Sequence, residues 1–176
     1  MLSLSEDAML LRALEISDLP FLYQWENDAD SWADSDIHNP LSQRLLREYI
    51  ESSSGDIYRD GQLRLVIESD KHMIGCADLF DFDPRSGRAA VGLYISPEAR
   101  GDGAGGKALA LLEDYAFSFL GLHQLYAVIA NDNPACIALF EKAGYAKSGL
   151  LGQWVKKRNG IFADAIIFQK MNNKNS

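Results

Sequence analysis

No apolar run in this chain approaches the ~20 uninterrupted residues that cross a bilayer, because Asp, Glu or Gly breaks each hydrophobic stretch. A membrane-spanning helix is excluded on that ground. Residues 1 to 8 carry Glu6 and Asp7 where a secretory leader has a basic region and then an apolar core, so a cytoplasmic protein is expected. Cysteine is scarce. Cys76 and Cys136 lie far apart, with no CxxC or His/Cys cluster, so no metal site is expected and two reduced thiols are. Positive charge is also short, 17 Lys plus Arg against 25 Asp plus Glu for a net charge of −8. Such a balance argues against a nucleic-acid phosphate tract and suits a cationic partner, although a negative surface also keeps a protein soluble without any partner. Repeats, low-complexity stretches and Pro/Ser-rich linkers are missing as well. A chain of 176 residues that is 47% hydrophobic is therefore expected to form one domain over 1–176, with only the polar tail 172–176 frayed.

What is present reads as strands alternating with helices. Residues 9 to 14 form a first strand, and Ser17-Asp18 places a capping oxygen before a helix carrying Leu22 and Trp25. A second helix follows Asn39-Pro40, with Leu41, Leu45, Leu46, Tyr49 and Ile50 at helical spacing; an acidic, aromatic loop separates the two. Residues 62 to 69 and 73 to 82 alternate as a hairpin around Ser69-Asp70-Lys71-His72, and 88 to 95 adds a third neighbour. Ala108, Leu111, Leu112, Tyr115, Ala116 and Phe119 mark an amphipathic helix closed by Gly121. A strand at 125 to 130, a helix opened by Asn133-Pro134 and a terminal hairpin around Asn159-Gly160 complete the chain. The class is mixed α/β, or α+β with one central, mostly antiparallel sheet flanked by helices.

Between the strand at 88 to 95 and the strongest helix stands Arg100-Gly101-Asp102-Gly103-Ala104-Gly105-Gly106. A helix amino end offers amides without intrahelical partners and a partial positive charge, and glycines let an anion approach the backbone. A pyrophosphate is the expected occupant; the alternative is a purely structural turn. The spacing is neither that of the phosphate loop GxxxxGK[ST] nor that of a dinucleotide fingerprint.

Arg100, Gly103 and Gly105 match the Gln/Arg-x-x-Gly-x-Gly/Ala acetyl-CoA motif, so the chain resembles the GNAT superfamily. Asn133-Pro134-Ala135-Cys136-Ile137-Ala138-Leu139-Phe140-Glu141-Lys142-Ala143-Gly144-Tyr145 resembles the downstream family segment Asn-x-x-Ala-x-x-Leu-Tyr-Glu-Lys-x-Gly-Phe. The opening, Leu11-Arg12-Ala13-Leu14 with Asp18-Leu19, is similar to the ribosomal-protein and spermidine acetyltransferase branch. The resemblance implies a splay between the two central strands. It places Leu93, Tyr94 and Ile95 beside pantetheine and the thioester, and the amides of residues 101 to 106 on the pyrophosphate. Asn133 is implied as hydrogen-bonding the pantetheine arm, with Asn131 as second candidate; the alternatives are helix capping for the first and strand-end solvation for the second.

The implied reaction is N-acetylation, in which a neutral amine attacks the acetyl thioester directly and the coenzyme A thiolate leaves. Many relatives protonate that thiolate with the tyrosine of the Leu-Tyr-Glu-Lys segment, but this chain has Phe140 there, which has no proton to give. Tyr94, Tyr126 and Tyr145 are the other phenols, each also readable as packing. Asp78, an acid in mid-strand, is the candidate base or ammonium ligand, or else part of a solvated face. Trp25, Glu26, Asp30 and Trp32 are expected to form an aromatic, acidic slot for a cation, the alternative for the acids being solvated charge at a helix end. The acceptor is read as a polyamine such as spermidine or another small amine, or as a protein amino terminus; a non-catalytic acetyl-CoA sensor is the reading outside enzymology. Exposed strand edges make a homodimer or higher homo-oligomer an expectation.

Overall fold

A computed structural model describes residues 2–3, 9–28, 39–157 and 159–172. Its strands are β1 (Leu2–Ser3), β2 (Met9–Ala13), β3 (Leu63–Ser69), β4 (His72–Asp83), β5 (Arg88–Ile95), β6 (Gln124–Ala130), β7 (Ala146–Lys156) and β8 (Phe162–Met171). Its helices are α1 (Leu19–Glu26), α2 (Gln43–Ser52), α3 (Ile57–Asp60), α4 (Ala104–Asp114) and α5 (Pro134–Lys142). One sheet joins all the strands in the order β1-β2-β3-β4-β5-β6-β8-β7. Among the described strands only β5 and β6 pair in parallel, because the connection between them carries α4 and returns to the same end of the sheet.

Alternation along the strands divides the residues between two faces. Ile67, Ala77, Leu79 and Val91 join Ala108, Leu109 and Leu112 of α4 in the main core. Arg64, Asp78 and Tyr94 point the other way, toward α1 and α2, whose Leu19, Leu22, Leu46 and Ile50 form a second, smaller core. The polar stripe between these cores faces the end of β5.

Local chemistry sets the helix ends. Ser42 Oγ accepts from the Leu45 amide at 3.2 Å to start α2, two residues later than the Asn39-Pro40 signal suggests. Asn133 Oδ1 accepts from the Cys136 amide at 3.1 Å to start α5, and Gly144 ends the following turn at φ 86°. The helix expected to run from 104 to 120 is α-helical only to Asp114; residues 115–119 widen into a π turn before Gly121 reverses the chain at φ 67°.

Three local expectations are corrected. Asp18 does not cap α1 with its side chain; its carboxylate accepts from Arg12 at 2.7 and 2.8 Å and from the Glu15 amide at 2.9 Å, so it ties β2 to the first helix instead. The Asn159-Gly160 pair does not form a two-residue type I′ turn: the Lys157 amide donates to the Ile161 carbonyl and the Gly160 amide to the Lys157 carbonyl, so three positions, not two, separate the bonded ends of the strands. A type I′ geometry sits instead on Asp70 and Lys71, at φ 50° and 66°, between the paired residues Ser69 and His72. Nor is Asn172 frayed. It is 3% exposed, with its side-chain amide donating to the carbonyls of Phe117 and Leu122 and its backbone amide to that of His123.

Candidate functional site

The central strands part where the expectation placed a splay. β5 and β6 pair through Arg88↔Gln124, Ala89↔Leu125 and Ala90↔Tyr126 and no further. Beyond that point β5 continues to Ile95 on β4, while β6 continues to Ala130 on β8. Leu93, Tyr94 and Ile95 therefore line a wedge-shaped opening with one strand edge turned toward it. Gly75 fixes the far side of this segment, because a Cβ there would lie 2.1 Å from the Tyr94 carbonyl oxygen.

The glycine turn closes the wide end of the wedge. Gly101 and Gly103 adopt φ of 101° and 78°, conformations that bulkier residues resist, and Gly103 is the N-cap of α4 with no side-chain cap. The opening amides of an 11-residue helix are thereby left to an external acceptor, which is the condition for anion binding. Asp102 is exposed in the same turn. Ala104 is buried, and Gly105 and Gly106 face Leu139 of α5, where a Cβ would stand in ordinary contact with it at 3.5 and 4.0 Å. Arg100 bends back, its Nε donating to the Ile95 carbonyl at 2.9 Å while its guanidinium lies 6.0 Å from the Tyr94 ring. It braces the turn against the end of the strand. At the end of β6, the Asn131 amide donates to Asp164 and Asn133 caps α5, which places both asparagines at the wedge margin.

On the opposite face of β5, Tyr94 packs against Trp25 with ring centroids 5.1 Å apart. Asp78 lies across from Gly92 and receives both Nε and Nη2 of Arg64, at 2.8 and 2.9 Å; Arg64 Nη1 bonds Glu26. Two carboxylates thus share one guanidinium. Burial works against the Arg64 charge, but Asp78 and then Glu26 raise its pKa well above the ordinary value. Both oxygens of Asp78 are thereby engaged in charge-assisted bonds to one guanidinium. Trp25 and Glu26 are brought to this face; Asp30 and Trp32 lie outside the described residues.

The phenols divide by environment. Phe140 is buried, edge-on to Tyr145 at 4.8 Å and 6.4 Å from Phe168, so the usual acid position belongs to the aromatic core. Burial, and next the Glu113 carboxylate, push the Tyr145 phenol far up. Burial raises Tyr126 as well, and its hydroxyl donates to Asp81 at 3.4 Å. Tyr49, which sequence reading assigned only to a helix face, stands with its ring 5.9 Å from the Arg64 guanidinium and its pKa raised by burial. Arg64 was the residue missed most clearly, and its one signal was a cation in mid-strand with the same alternation as Asp78.

Cys76 is buried on this same face, and burial pushes its thiol up to about 12 from 9. Because the folded state holds that proton more tightly, the contribution to stability is present below pH 9 and is lost as pH rises toward 12. Urea unfolding of Cys76→Ala is expected to show a shallower loss of stability across that window than the parent protein. Equal slopes would remove the burial argument.

The comparisons with known proteins agree with this geometry. The acetyltransferase (GNAT) domain model matches residues 8–146. Spermidine N(1)-acetyltransferase from Vibrio cholerae serotype O1 is 28% identical over 147 residues, covering 81% of this chain and 82% of the relative. The crystal structure of the V. cholerae spermidine N-acetyltransferase in complex with CoA and spermine superposes with a TM-score of 0.86 at 27% identity, covering 95% of this chain and 97% of that one. A dodecameric structure of the same enzyme, in an intermediate state, gives 0.81 at 27% identity and covers 96% of both chains. A family match from the edge of β2 to the start of β7, on a sheet that opens where a thioester arm would enter, leads to one assignment: the chain belongs to the GNAT acetyltransferases and is an N-acetyltransferase with acetyl-CoA as its co-substrate.

Proposed function

We propose that the acceptor is a primary amine of a small aliphatic polyamine such as spermidine, which attacks the acetyl thioester directly and displaces the coenzyme A thiolate. The observation that carries this reading is the meeting of two carboxylates, Glu26 and Asp78, on the Arg64 guanidinium, on the face of the sheet that also carries Tyr94. Carboxylates at this position, in a chain of net charge −8, favour the approach of an ammonium group. The V. cholerae relative, named for spermidine and crystallised with spermine, supports the same class of acceptor.

The residues take the following proposed roles. Leu93, Tyr94 and Ile95 run beside the pantetheine arm, the amides of residues 101 to 106 hold the pyrophosphate, and Arg100 keeps their turn in place. Asn133 meets the pantetheine arm through Nδ2, since its Oδ1 caps α5; Asn131 is the alternative. Asp78 holds the incoming amine, whose proton leaves to water. A thiolate of coenzyme A departs without the phenol that Phe140 lacks, and positioning of the reactants supplies much of the rate.

A homo-oligomer is part of the proposal. The edge strand β7 exposes Leu150 and Trp154 at 66% and 62%, and the V. cholerae enzyme assembles as a dodecamer. A cytoplasmic location is proposed with it; among the described residues no helix is long and apolar enough to cross a membrane.

The test is release of free coenzyme A thiol from acetyl-CoA with spermidine, spermine, short monoamines and amino-terminal peptides offered in turn. Faster release with the polyamines is expected. Preference for peptides would move the acceptor to a protein amino terminus, and acetyl-CoA binding with no transfer to any amine would move the chain to the sensor reading.

A further inference from the structure

Phe80 is an apolar ring in an unusual place. It lies on the same face of β4 as Asp78, 39% exposed, and reaches over Gly92 of β5. A Cβ built on Gly92 would stand 3.3 Å from Phe80 Cε1 and 3.3 Å from Asp78 Cβ, and 3.5 Å from Asp78 Oδ2. An aromatic edge and a carboxylate therefore meet over one residue whose missing side chain leaves them the room. Gly92 stands two residues past Ala90, the last position at which β5 pairs with β6, so this meeting point lies where the two strands begin to part, near the narrow end of the wedge. The cofactor helix is on the other side of the strand, since the ideal Cβ of Gly105 approaches the side chains of Leu93 and Ile95.

A carboxylate alone selects for positive charge and accepts any ammonium group. An apolar ring directly beside it adds a second requirement, because methylenes next to the ammonium gain by leaving water and a cation gains from the ring face. We propose that Phe80, seated over Gly92, is a specificity-determining residue for the acceptor and selects amines that carry an extended alkyl segment behind the reacting nitrogen. The inference rests on the polyamine reading given above and deepens it: Asp78 sets the charge of the acceptor and Phe80 its length and polarity. Gly92 belongs to the same device, since a methyl group there must move either the ring or the acid.

Steady-state transfer measured with spermidine, 1,4-diaminobutane, ethanolamine and glycinamide separates these ideas. For Phe80→Ala the KM of spermidine and 1,4-diaminobutane is expected to rise about tenfold, the low end for lost apolar contacts in a binding pocket, while that of ethanolamine and glycinamide changes less than twofold. Phe80→Leu should retain most of the discrimination, and Gly92→Ala should reproduce the loss. The acetyl-CoA dissociation constant, within twofold of the parent in each variant, shows that fold and cofactor site persist. Equal KM changes for long and short amines, or none, would overturn the role of Phe80 while leaving polyamine acetylation standing. No transfer to any amine by the parent protein would overturn both.

Discussion

Replacing Gly103 by valine is expected to raise the acetyl-CoA dissociation constant at least about tenfold, a loss of about 1.4 kcal/mol. Gly103 holds φ at 78° as the N-cap of α4, a conformation that a β-branched residue adopts only under strain. No heavy atom of the protein lies within 4 Å of a Cβ built there, so the valine side chain meets no core residue and its steric effect falls on what approaches from outside. Strain and loss of anion binding can be told apart with Gly61→Val as control. Gly61 has φ of 70°, ends α3 and also has nothing within 4 Å of its ideal Cβ, but it lies outside the glycine turn. Both variants should lose similar thermal stability, and only Gly103→Val should lose cofactor affinity by calorimetry. A folded Gly103→Val protein with the parent's dissociation constant would remove the pyrophosphate from this turn.

This turn could be read from the sequence because everything it needs is local. Strand, glycines and amphipathic helix follow one another within the range 88 to 120, and each leaves its own pattern of alternation, small residues or 3.6-residue periodicity. The Arg64 cluster could not be read that way. Arg64, Asp78 and Glu26 come from β3, β4 and the end of α1, and their meeting depends on strand register and on how the first helices cross the sheet. Asp78 stood out in sequence as an isolated acid, and the arginine that makes it an ion-pair partner did not. Asp18 was misplaced for a similar reason: an aspartate before a helix is a good capping signal, but Arg12, folded beside it from the neighbouring strand, offered two charge-assisted bonds in place of one amide. The hairpin turns inverted their signals too. Asn159-Gly160 has the favoured composition without the geometry, whereas Asp70-Lys71 has the geometry because the strand pairing on each side imposes it.

Phe140 shows where motif and structure have to be weighed together. In the motif it is a tyrosine position that lost its hydroxyl; in the fold it is a buried ring between Tyr145 and Phe168. Packing explains why an aromatic residue is retained there, so retention says nothing by itself about proton transfer. Tyr145, whose phenol is held far above its ordinary range by burial, keeps its proton at neutral pH and belongs to the same packed cluster.

Arg64→Met should cost roughly 2 kcal/mol of folding stability, less than a fully buried pair would lose because about a quarter of the arginine side chain, 26%, is open to solvent. Methionine keeps the aliphatic reach of arginine and removes only the guanidinium, which leaves the Glu26 and Asp78 carboxylates facing one another without their shared partner. If that repulsion and lost bonding are the cause, Asp78→Asn in the Arg64→Met background should recover part of the loss, with a coupling of about 0.5–3 kcal/mol in urea unfolding. Arg64→Lys should recover less than charge conservation suggests, because an ammonium cannot reproduce the paired Nε and Nη2 contacts to Asp78. Stability of Arg64→Met within about 0.5 kcal/mol of the parent, the range of ordinary surface substitutions, would mean that the cluster is solvated and does not organise the acceptor face. The expected loss, with acetyl-CoA affinity unchanged, would instead identify Arg64 as the residue that fixes the end of α1 to β4 and so sets where an amine can meet the wedge.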